Sequence, residues 1–229
     1  MSELKLAISN IAWDKADDEA VYAAMQQNGF TGLEIAPTRI FPEYPYENLT
    51  GAALFGGYLL NRWGFHVPSM QSIWYGQTGN IFDPVQAEEL LDYTAEAFQF
   101  AHTINCPSLV FGCPKNRRPP VYTNYLNNTA DAFAMVKRLQ SPGLAVNLDL
   151  STMISNGERL RDFVDDIKYV SHVHISEPGL EPIVPRQEHK ELAMLLKAVG
   201  YSGDVSIEMK RTDVETVRKT LAYIAEVFA

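Results

Sequence analysis

VSHVHI, residues 170–175, is the stretch on which the fold turns. Successive side chains of an extended chain point to opposite faces. His172 and His174 therefore share one side, and Val173 and Ile175 take the other. LAVNLD (144–149) sets Asn147 and Asp149 against Val146 and Leu148 in the same way, and DVSIE (204–208) sets Ser206 and Glu208 against Val205 and Ile207. Strands of a doubly wound sheet are covered on both faces and read as continuous Val, Ile and Leu. A barrel turns one face to its helices and the other to an interior whose upper part can be polar. The alternation points to a barrel.

Taken as LAVNLD, VSHVH (170–174) and DVSIE, the runs also end on residue types that hold divalent ions: Asp149, His174 and Glu208. The C-terminal ends of parallel strands lie on one face, where ligands bind. Two carboxylates and one imidazole suit Mn²⁺, Co²⁺, Mg²⁺ or Zn²⁺. Singly, each residue has a plainer explanation: Asp149 as a turn cap, His174 as a hydrogen-bonded core histidine, Glu208 as an ion-pair partner of Lys210. Their coincidence at three strand ends favours a metal.

Further out, extended segments recur at 4–9, 31–36, 65–71 and 108–113, which with 144–149, 170–175 and 204–208 makes seven. Helical patterns fill the intervals. Asp83-Pro84 opens one, with Gln86 at capping-box distance and Leu91, Ala95, Phe98 and Ala101 on one face. The last helix starts at Thr212 and carries Val214, Val217, Leu221 and Ile224 as its stripe. NGFTGLE (28–34) and VGYSGDVSIE (199–208) share a grammar of helix end, glycine, aromatic, hydroxyl residue, glycine, strand and glutamate. The first glycine of each suits a left-handed helix cap. No Pro-, Gly- or Ser-rich linker divides the series, so a single domain over 1–229 is expected, an α/β barrel with parallel strands inside a ring of helices. Neither GxGxxG nor GxxxxGK[ST] occurs, which removes the usual nucleotide-binding sheets.

Composition narrows the partners. A formal net charge of −9 argues against nucleic acid, whose phosphates call for a basic surface. The two cysteines, Cys106 and Cys113, bracket one extended segment and stand roughly 23 Å apart along it, too far for a disulfide. A cytoplasmic location is expected, with no signal peptide, no membrane span and a small molecule as partner.

SHVHISEPGL (171–180), LVFGCPKNR (109–117), NLDLST (147–152) and GYSGDVSIEMK (200–210) resemble the xylose isomerase-like TIM-barrel superfamily, which includes the sugar phosphate isomerases and epimerases, the inosose dehydratases and the endonuclease IV-type nucleases. The resemblance runs from NGFTGLEIA (28–36) to the last helix. It implies a divalent metal held by Glu, Asp, His and Glu from strands five to eight. Asp149, His174 and Glu208 match the last three. The first has no counterpart, because FGCPKNRRPPVYTN (111–124) runs almost at once into the helix 128–139, as if one βα unit of ~30 residues were absent. A seven-stranded or incomplete barrel is therefore expected, its gap covered by segment 114–125 or by a second copy of the chain in a homo-oligomer.

The implied chemistry is proton transfer next to a carbonyl through an enediolate, on a sugar or polyol substrate, with Glu208 as catalytic base. Glu34, His66, Lys115, Glu177, Lys210 and Trp13 are the candidates for substrate binding, and several could replace the lost base. His66 and Trp13 have equally ordinary readings as core residues. Three alternatives stand beside the isomerase or epimerase: a degenerate barrel that binds or regulates, an inosose dehydratase-like lyase, and, weakest, a metal-dependent nuclease.

Overall fold

Strand and helix alternate in a computed structural model that describes residues 4–118 and 126–229. In chain order these form β1 (Lys5–Ser9), α1 (Asp18–Gln27), β2 (Gly32–Glu34), α2 (Pro37–Ile40), α3 (Leu49–Tyr58), β3 (Ser69–Met70), α4 (Pro84–Thr103) and β4 (Ser108–Leu109). There follow α5 (Thr129–Leu139), β5 (Val146–Asp149), α6 (Leu150–Asn156), β6 (Val170–Ile175), α7 (Gln187–Ala198), β7 (Asp204–Ile207) and α8 (Val214–Phe228). One strand falls in each extended segment read from the sequence. The chain divides into two compact units, Met1–Gly32 with Leu126–Ala229, and Leu33–Tyr125.

In the first unit β1, β7, β6 and β5 lie side by side and parallel. The register pairs His174 with Ser206 and Asp149 with His174, so polar residues of β5, β6 and β7 stand abreast. Val146, Leu148, Val173, Ile175, Val205 and Ile207 are all buried, each contributing about 1.5–3 kcal/mol relative to exposure. Buried Val217, Leu221, Ile224 and Phe228 form the inner stripe of α8. That helix is capped by Asp213, whose Oδ1 accepts the Thr216 N–H at 2.9 Å. The cap lies one residue later than expected, and the Thr212 N–H donates to the Ala12 carbonyl instead. Gly200 turns the chain after α7 at φ +68°, a left-handed conformation costly for other residues. At Gly203 a Cβ would come within 2.9 Å of the Ser171 carbonyl oxygen, so nothing larger fits the entry to β7.

The second unit has much shorter strands. Leu33 N–H donates to the His66 carbonyl, Ile35 N–H to Ser69 and Val110 N–H to Met70, which sets three parallel segments in order. Pro68 and Pro107 have no N–H to give the ladder, so regular pairing starts only after each. Asp83 caps α4 by accepting from the Val85 and Gln86 N–H groups. Gln86 reaches back to the Asn80 N–H rather than closing a capping box on Asp83. The buried face of α4 carries Leu90, Ala97, Phe100 and Ala101, while Leu91 and Phe98 are exposed. Of the expected stripe only Ala101 lies on that buried face, Leu91, Ala95 and Phe98 being exposed. Within segment 114–125, Pro114–Asn116 forms a short turn, with buried Asn116 donating to the Gln77 and Gly79 carbonyls. Residues 119–125 of the expected cover lie outside the described residues.

Candidate metal centre

Asp149, the last residue of β5, also caps α6. Its Oδ1 accepts the Thr152 N–H at 2.8 Å and the Ser151 hydroxyl at 2.6 Å. Ser151 N–H in turn donates to the Oγ of fully buried Ser176 at 3.1 Å, which ties the start of α6 to the end of β6. His174 is buried near the end of β6. Glu208 follows β7 directly, with its N–H on the Ile175 carbonyl at 2.9 Å. The side chains converge. Glu208 Oε2 lies 3.1 Å and Asp149 Oδ2 3.7 Å from His174 Nδ1, and one ligand atom from each residue falls within 4.8 Å of the others.

Burial by itself would raise the Asp149 carboxyl. The hydrogen bond and charge of His174, with the donors from Ser151 and Thr152, outweigh it and hold the pKa down to about 2. The group is an anion at every physiological pH. Metal bonds of ~2.1 Å put adjacent ligands about 3.0–3.4 Å apart and opposite ligands about 4.2 Å apart. Spacings of 3.1 and 3.7 Å suit such a set. Two oxygens and one nitrogen on rigid strand ends thus fit a borderline to hard divalent ion.

The other sequence candidates stand in varied surroundings. Glu177 is buried just beyond β6, where Arg186 Nε donates to both its oxygens at 2.8 and 2.7 Å and Arg186 Nη2 adds a 2.5 Å contact. This pair fastens the two ends of loop 177–186, and no sequence pattern announces it because the partners lie nine residues apart in an irregular segment. Lys210 is exposed and pairs with Glu181 rather than Glu208. Trp13 is fully buried, its indole N–H on Asp18 at 2.8 Å and its ring edge-on to Tyr22. Glu34, His66 and Lys115 belong to the second unit. Glu34 is fully buried and accepts the Ser69 hydroxyl; His66 lends its carbonyl to Leu33 at the start of the third extended segment; Lys115 is exposed. A cleft of about 440 Å³ lined by residues including Lys168, Ser171, Tyr201 and Gly203 opens at the N-terminal ends of β6 and β7, away from Asp149, His174 and Glu208.

No protein-family model and no curated protein matches the chain. Solved structures do match, over nearly its full length. The 3-keto-D-glucoside 4-epimerase of E. coli, in its apo form, shares 16% identity at a TM-score of 0.74, over 98% of this chain and 100% of that one. A D-psicose 3-epimerase determined in the presence of D-fructose shares 15% at 0.73, over 98% and 99%. A family 2 AP endonuclease from Brucella melitensis shares 19% at 0.70, over 99% of both chains. This likeness shows the fold, a TIM-type α/β barrel, as the alternation in the strands led us to expect. No helix among the described residues is long and apolar enough to cross a membrane.

Proposed function

We propose that the chain, as one domain over 1–229, is a divalent-metal-dependent enzyme of the sugar isomerase and epimerase type, moving a proton on a carbon next to a carbonyl. The observation that carries this reading is the convergence of Asp149 and Glu208 on His174 Nδ1 at three adjacent strand ends. Barrel enzymes keep their chemistry at that face. The likeness to two sugar epimerases supports the substrate class. The equally strong likeness to an AP endonuclease is offset by the net charge of −9.

Asp149, His174 and Glu208 would hold the ion. Its contribution would be Lewis-acid polarisation of the substrate carbonyl and neighbouring hydroxyl oxygen. The residues do the rest. Ser151 and Thr152 fix Asp149 so that its second oxygen faces His174. Glu208 is mostly buried, at 13% side-chain exposure, and one of its oxygens can take the proton from carbon. Between Glu96 and Glu158 the sequence contains no glutamate, so the strand-five base of the resembling enzymes has no glutamate to replace it there. A single base serves one face of the substrate, which favours isomerisation or dehydration over a two-base epimerisation.

Ketohexoses incubated with the protein and Mn²⁺ in D₂O provide the test, read by proton NMR. Loss of the signal from the hydrogen next to the carbonyl is expected, and Glu208→Gln should abolish it with the fold intact. A protein that binds the ion yet exchanges no hydrogen in any ketose tried would overturn the enzyme reading in favour of a binding protein.

A further inference from the structure

We infer that Asn147 supplies a fourth ligand to this centre, through its side-chain carbonyl oxygen. The inference rests on the metal reading above and extends it to a residue that no resemblance assigns. Asn147 sits on β5 two residues before Asp149, hence on the same face of the strand. Its amide nitrogen Nδ2 lies 3.2 Å from His174 Nδ1. Its Oδ1 is buried and has no hydrogen-bond partner among the described residues, a costly state for an amide oxygen.

The contacts around Nδ1 conflict unless the amide turns. An imidazole nitrogen carries either one hydrogen or one lone pair. If Nδ1 carries the hydrogen, it donates to Glu208 Oε2 at 3.1 Å, and the Asn147 NH₂ then faces another donor. If Nδ1 carries the lone pair, Asn147 can donate to it, but the Glu208 carboxylate then faces that lone pair. A cation between them removes the second conflict by taking the lone pair itself, which leaves the Asn147 NH₂ nothing to bond. A half-turn of the amide exchanges its nitrogen and oxygen without moving the strand, and the two atoms are interchangeable by shape. It brings Oδ1 to about 3.2 Å from Nδ1, the spacing of adjacent ligands on one ion, and satisfies the orphaned oxygen.

The resulting set is Asp149, His174, Glu208 and Asn147, with two negative charges. The Glu, Asp, His, Glu set implied by the resemblance has three. The ion keeps one more unit of positive charge and is the stronger Lewis acid, at the expense of affinity.

Co²⁺ titration of the full chain by calorimetry, with the visible spectrum of the cobalt protein recorded in parallel, tests this. Asn147→Ala should weaken Co²⁺ binding about 100-fold, the upper end of what supporting residues contribute, and should change the cobalt bands as the coordination number falls. Asn147→Asp, which restores a third carboxylate, should bind at least as tightly as the wild type. Circular dichroism in chelator verifies that each variant is folded. If the wild type binds no Co²⁺, the metal reading itself fails. If the wild type binds and Asn147→Ala leaves the cobalt spectrum unchanged, with or without a loss of affinity, Asn147 is not a ligand and only the present inference is overturned.

Discussion

Replacing Asp149 with asparagine separates the charge of this side chain from its place in the fold. Asparagine is as good a helix cap as aspartate and still offers an oxygen to the Thr152 N–H. Only the carboxylate charge beside His174 is lost. Its value follows from the folded-state pKa of about 2 against an ordinary 3.8. That difference is worth about 2–3 kcal/mol, and with the side chain only 21% exposed, solvent screening removes little of it. A carboxyl whose pKa is depressed on folding stabilises the protein fully above the unfolded value and loses that contribution as pH falls through the folded one. Urea unfolding in the presence of a chelator should therefore find Asp149→Asn less stable by about 2–3 kcal/mol at pH 7, with the gap closing between about pH 4 and pH 2. A gap of the same size at pH 7 and pH 3, or none at pH 7, would refute the electrostatic account of this residue.

Other perturbations follow from neighbouring contacts. Arg186→Ala leaves the Glu177 carboxylate buried without its guanidinium and should cost about 2–3 kcal/mol at neutral pH, less than for a fully buried pair because Arg186 is one-third exposed; Glu177→Gln in the same background should recover part of it in urea melts. His189 is fully buried, and burial lowers its pKa against the opposing field of Glu177, so its stabilising contribution is present above the unfolded value near 6.5 and declines as pH falls below it. His189→Gln should flatten the fall in melting temperature between pH 7 and pH 5. Burial pushes the Cys106 thiol up to about 12, so thiol titration at pH 8 should leave it unmodified until denaturant is added.

The convergence of the candidate residues was legible in the sequence because β-strands have a period of two. Once VSHVHI, LAVNLD and DVSIE were read as strands, the parity of Asp149, His174 and Glu208 put all three on the polar face, and their positions put them at one end. Helix phase was harder. In α4 the residues Leu90, Leu91, Ala95, Ala97, Phe98, Phe100 and Ala101 offer two apolar stripes. Periodicity alone cannot choose between them, and the packed structure buries the one carrying Leu90, Ala97 and Phe100. The pairing of Glu177 with Arg186 and the use of Ser176 to hold Ser151 depend on loop geometry that carries no period. Asn147 lay in plain view as a polar strand residue, but its approach to His174 Nδ1 needs the side-by-side register of β5 and β6 to be seen.

Crystals grown with Mn²⁺ and measured near its absorption edge would locate the ion. One strong anomalous peak per chain is expected, about 2.0–2.2 Å from oxygens of Asp149 and Glu208 and from His174 Nδ1. A fully Mn²⁺-soaked crystal with no peak among those three side chains would contradict the metal reading.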